Sequence, residues 1–102
     1  MLAEISIIPV GEGVSISSHV ARMANIIDES GLDYKINPMA TVIEGDFDEV
    51  MRLVKKCHET IMEEAERVII NVVIDDRRDK TAPRLDKKLE SVEQKAGKTL
   101  KK

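Results

Sequence analysis

The stretch Tyr34-Lys35-Ile36-Asn37-Pro38-Met39-Ala40-Thr41-Val42-Ile43-Glu44-Gly45-Asp46 decides the fold. Short apolar runs lie on either side of Asn37-Pro38, and proline cannot donate to a strand ladder. The pattern predicts two short strands joined at that dipeptide. Asn37, Thr41 and Glu44 remain as polar groups at the rim of an otherwise apolar segment. Such a rim suits recognition of a small ligand and offers no obvious machinery for breaking a bond.

Working outward, Leu2 to Val10 alternates Ala3, Ile5 and Ile7 with Glu4 and Ser6, which describes a strand ended by Pro9, Gly11 and Gly13. Ser15, Ser17 or Ser18 can cap a helix along which Val20, Met23, Ala24 and Ile27 recur. Ser30-Gly31 is its stop. Beyond Gly45, Asp46 and Glu49 are spaced as a capping box. Val50, Met51, Val54, Cys57, His58, Ile61 and Ala65 then form one broad helical side. Arg67 to Ile74 is a dense Val/Ile strand whose apolarity on both faces predicts a central position covered on two sides. A last helix is expected from near Thr81, with Pro83 in its first turn, Leu85, Leu89, Val92 and Ala96 as its stripe, and Gly97 as its end. The order β-α-β-β-α-β-α is that of an α+β, ferredoxin-like split β-α-β sandwich with an additional C-terminal helix. Residues 1–97 form one domain in this reading, and 98–102 a basic tail. One sheet face needs cover beyond the two core helices, which predicts homo-oligomerisation.

A chain of 102 residues with 2% aromatic content must build its core from Ile, Val, Leu and Met. Aromatic platforms for stacking bases are missing, and the net charge of -3 is mildly acidic, so no nucleic-acid partner is expected. Residues 1–79 carry sixteen Asp/Glu against eight Lys/Arg, and residues 80–102 carry eight Lys/Arg against three Asp/Glu. A solvated C-terminal helix with a basic tail accounts for this; docking of the tail on an acidic patch of another subunit is the alternative. Lone Cys57 excludes an intrachain disulfide and reads as a small buried hydrophobe. With no leader pattern and no apolar run of transmembrane length, the expected location is cytoplasmic, with no membrane partner.

The chemical signals point away from catalysis. His19 and His58 lie in different helices, and no nucleophile elbow accompanies the serines near His19. His58 reads as a core histidine. Cys57 and His58 are adjacent on a helix and diverge, so no metal is expected. Gly11-Glu12-Gly13 lacks the further residues of a dinucleotide or P-loop fingerprint. The amides and serines at 15–18, or Arg77-Arg78, could hold an anion.

Ser15-Ile16-Ser17, Ser30-Gly31-Leu32-Asp33-Tyr34, Pro38-Met39-Ala40-Thr41-Val42-Ile43-Glu44-Gly45 and Ile74-Asp75-Asp76-Arg77 together resemble the thiamine-binding protein family, a formerly uncharacterised group with archaeal and yeast members. The resemblance covers nearly the whole chain. It implies a ferredoxin-like fold, dimers assembled into a homotetramer, and noncatalytic binding of thiamine or a related pyrimidine as carrier or sensor, with no required cofactor. The ligand-binding set it suggests is Ser15, Ser17, Tyr34, Asn37, Met39, Thr41 and Glu44. In that set Glu44 would meet the thiazolium charge or the amino group. Thr41, Asn37 and Ser17 would satisfy polar edges, and Tyr34 and Met39 would shield the rings. The alternative is a structural or regulatory oligomeric module that binds a small anion.

Overall fold

The computed structural model describes residues 1–13, 16–80 and 83–102. Its elements run β1 (Leu2–Val10), α1 (Ser17–Glu29), β2 (Asp33–Ile36), β3 (Thr41–Glu44), α2 (Phe47–Met62), β4 (Arg67–Asp75) and α3 (Lys87–Ala96). The four strands form an antiparallel sheet in the order β2-β3-β1-β4. That order is the ferredoxin-like arrangement expected from the sequence.

Strand alternation sorts the side chains. Ala3, Ile5 and Ile7 of β1 and Ile43 of β3 face α1 and α2, where they meet Met23, Ile27, Val50, Leu53, Val54, Cys57 and Ile61. Ile43, Val50 and Ile61 are completely buried. Burial of an aliphatic side chain of this size stabilises by about 1.5–3 kcal/mol, so this layer carries most of the cohesion.

Local signals explain the element ends. Asp46 accepts from the Glu49 amide at 2.8 Å, and the Glu49 side chain accepts from the Asp46 amide at 3.0 Å, which completes the capping box of α2. Gly31 follows α1 with φ +79°, and Gly97 ends α3 with φ +75°, conformations that a Cβ would strain. The Asn37 amide donates to the Ala40 carbonyl at 3.0 Å, closing the β2–β3 turn around Pro38.

Several sequence expectations change. β4 is an edge strand, because β1 takes the centre of the sheet. Only its Val68, Ile70 and Val72 phase packs on the core; Ile69 and Val73 point to the other face and are 43% and 61% exposed. The residue preceding α1 is Ile16, which has no polar side chain for capping, while Ser17 is already helical and Ser15 lies outside the described residues. α3 starts at Lys87, six residues beyond the predicted Thr81, which also lies outside the described residues. The basic tail is tied back: the Leu100 amide and Lys102 Nζ both donate to the Glu93 carboxylate, at 2.6 and 2.7 Å.

Candidate functional site

The pairing of β1 with β3 ends at Ile5↔Thr41, whereas its pairing with β4 continues to Val10↔Arg67. The β3-side main-chain edge of Ser6, Ile7 and Ile8 therefore has no strand partner among the described residues. It borders a cleft of about 170 Å³ whose other walls are α1 (Ile16, Val20, Met23, Ala24 and Ile27) and the turn residues Asn37 to Thr41. The cleft exists because β2 and β3 are four residues long and β1 is nine. A strand edge offers both N–H donors and C=O acceptors, and the surrounding side chains are apolar or neutral.

Three members of the suggested ligand set, Asn37, Met39 and Thr41, meet at this cleft. Met39 is 91% exposed and free to reposition its thioether over a ligand. Ser17 opens α1 one residue beyond the lining Ile16. Tyr34 and Glu44 are engaged elsewhere. Tyr34 donates its hydroxyl to Asp28 Oδ1 at 2.6 Å, a bond to a carboxylate that holds the phenol proton on and raises its pKa above the usual tyrosine value.

Glu44 is buried on the opposite face of the sheet. Its carboxylate accepts from the Arg84 amide at 2.7 and 3.0 Å and from the Leu85 amide at 3.1 Å. Arg84 is also buried, and its guanidinium donates to the Asp75 carbonyl at 3.1 Å and to Asp75 Oδ2 at 2.9 Å. Lys88 Nζ reaches the same oxygen at 2.8 Å. The bonds from Lys88 and Arg84 hold the Asp75 carboxyl below the usual aspartate range. Lys35 pairs with Asp86 across the same face. These contacts pin the approach to α3 over the end of the sheet.

The core histidine expected at position 58 is not there. His58 is exposed, because the 100° step from buried Cys57 turns it away from the core. His19 is the buried one, 8% exposed, with Nε2 3.2 Å from Glu12 and Nδ1 3.6 Å from Glu64. Arg22 reaches the same Glu64 at 2.6 Å, so the group ties the end of β1 to the C-terminal end of α2. Its sequence signal was the spacing His19, Met23, Ile27, one residue per turn on one helix face. Among the described residues no three His, Cys, Asp or Glu side chains converge as metal ligands. Cys57 is buried as expected, and desolvation pushes its thiol up to about 11.

A ferredoxin-like domain with a neutral, ring-sized cleft at an open strand edge is equipped to hold a small molecule. The chain matches the family model described as thiamine-binding protein over residues 3–93, and it belongs to that family. It is 36% identical over 92 residues to a UPF0045 protein of Methanocaldococcus jannaschii, covering 90% of this chain and 91% of that one. A UPF0045 protein of Methanothermobacter thermautotrophicus is 38% identical over 96 residues, covering 91% and 96%. The crystal structure of the Methanocaldococcus jannaschii protein superposes with a TM-score of 0.83 over 89% of this chain and 93% of that one. A Thermotoga maritima protein proposed to act in thiamine biosynthesis or salvage has the same fold, with a TM-score of 0.78 at 23% identity, covering 89% and 96%. No helix among the described residues is long and apolar enough to cross a membrane.

Proposed function

We propose that the protein is a noncatalytic binder of the aminopyrimidine portion of thiamine, or of a related free pyrimidine, acting as carrier or sensor. The observation that carries this reading is the meeting of Asn37, Met39 and Thr41 with the unpaired edge of β1 in one neutral cleft. An aminopyrimidine presents a donor beside ring acceptors, a pattern that a strand edge and a side-chain amide complement. The cleft, at about 170 Å³, is smaller than the roughly 300–1,000 Å³ of drug-sized sites, which favours one ring over an entire two-ring ligand. Family membership and the role proposed for the Thermotoga maritima protein point to the same ligand class.

Glu44 lies outside this cleft, so a thiazolium would project from its mouth without a carboxylate among the lining residues. The expected preference is therefore the free hydroxymethyl-aminopyrimidine over thiamine. Assembly into dimers and a tetramer is part of the proposal, with the outward Ile8 and Ile69 supplying apolar contact area. Calorimetry against thiamine, its phosphates and the hydroxymethyl-aminopyrimidine, with light scattering on the same samples, tests both parts. Saturable pyrimidine binding lost in Asn37→Ala supports the reading. A folded oligomer that takes up none of these compounds rejects it.

A further inference from the structure

We propose that a second cavity, between α3 and the outward face of the sheet, binds a small apolar or aromatic molecule carrying a single carboxylate, sulfonate or phosphate group. It encloses about 470 Å³, within the roughly 300–1,000 Å³ usual for ligand sites, and is nearly three times the size of the pyrimidine cleft. Leu2, Val42 and Val73 form its floor, and Leu85 and Leu89 its roof.

Lys35, Lys88, Lys101 and Lys102 stand around these apolar walls, against only Glu4 and Asp75 among the lining carboxylates. Three of the lysines hold acidic partners: Asp86, Asp75 and Glu93. Lys101 alone has no carboxylate partner among the described residues. Lys35 and Lys102 are about two-fifths exposed, and surface ion pairs of this kind exchange readily for a better-placed anion. An apolar body would cover Val73, which is otherwise 61% exposed, while its anionic head meets Lys101. Lys101 is the group left to meet a charged ligand, which suits an anion rather than the thiamine cation.

The roof is held by polar ties. Glu44, Arg84 and Asp75 fix the chain entering α3, and Glu93 fixes the tail that carries Lys101 and Lys102. Both walls are therefore set in place without filling the space between them. The pyrimidine cleft lies on the other side of the hairpin, and Asn37 is the one residue lining both spaces.

The test is a fluorescence titration of the native protein with 1-anilinonaphthalene-8-sulfonate, repeated with uncharged N-phenyl-1-naphthylamine. The expected result is saturable binding of one sulfonate per chain, about tenfold tighter than the neutral probe, as one charge-assisted contact provides. Lys101→Glu should weaken the sulfonate by about tenfold or more and leave the neutral probe nearly unchanged. Val73→Trp should fill the cavity and abolish both signals without changing hydroxymethyl-aminopyrimidine affinity; Leu89→Trp repeats the test from the helix side. Equal affinity for the two probes, unchanged binding in both tryptophan variants, or no saturable signal overturns the proposal. Loss of binding as the scattering mass rises also overturns it, because a second copy then occupies the cavity.

Discussion

On the helix-covered face of the sheet, Ile43, Val50 and Ile61 are wholly buried, whereas α3, on the other face, contributes no buried residue from Lys87 to Ala96. The first face is held by dispersion and water exclusion, which are spread over many contacts. The second is held by a few polar ties at Glu44, Asp75 and Glu93. Loss of one contact weakens an apolar layer everywhere at once, while loss of one tie releases a single segment. The difference also leaves a cavity on one side and close packing on the other.

The largest effect should come from Ile61→Ala, which opens a void in the close-packed layer and should lower unfolding free energy by about 2–5 kcal/mol in denaturant melts. A loss as small as that of a surface substitution would end the distinction between the faces. Glu44→Ala should weaken docking of the α3 approach by about 1–3 kcal/mol, the cost of stranding the Arg84 and Leu85 amides. Hydrogen exchange should show that cost at residues 84–96, with β1 and α2 still protected. Exposure of the whole chain would mean that α3 belongs to the same cooperative unit as the core. Asp46→Ala, which removes half of the α2 capping box, should cost about 1 kcal/mol and register as a lower melting temperature.

The smallest effect should be a pH response of the strap. Lys88 and Arg84 depress the folded-state pKa of Asp75, so this group's stabilisation is present above its unfolded value. It is lost as pH falls through the depressed folded value, below the ordinary aspartate range. Acid should thus loosen residues 84–96, and the exposed carboxylate makes the effect salt-sensitive. Asp75→Asn should flatten that acid response in hydrogen exchange; an identical profile in the variant would mean that Asp75 does not hold the strap.

Element order was legible because each element carries its own period. Ala3, Ile5 and Ile7 alternate with Glu4 and Ser6 in β1, apolar residues recur every three or four positions in α1 and α2, and Asp46 and Glu49 mark a helix start. The position of β4 was not, since Val68 to Ile74 reads as two-sided until pairing with β1 exposes one phase. Met39, Asn37 and Thr41 could be tied to one rim because the turn at Pro38 brings them together locally. Glu44 sits in that same stretch, yet strand alternation sends it through the sheet to partners forty residues away. The unpaired edge of Ser6 to Ile8 left no side-chain signal; only the unequal lengths of β1 and β3 foretell it.

The most direct measurement is amide shift mapping by NMR during titration with the hydroxymethyl-aminopyrimidine. Saturable shifts are expected at Ser6, Ile7, Ile8, Asn37, Met39, Ala40 and Thr41, with residues 84–96 unmoved. Shifts confined to Glu44, Arg84 and α3, or no shifts at saturating ligand, would contradict binding in the cleft.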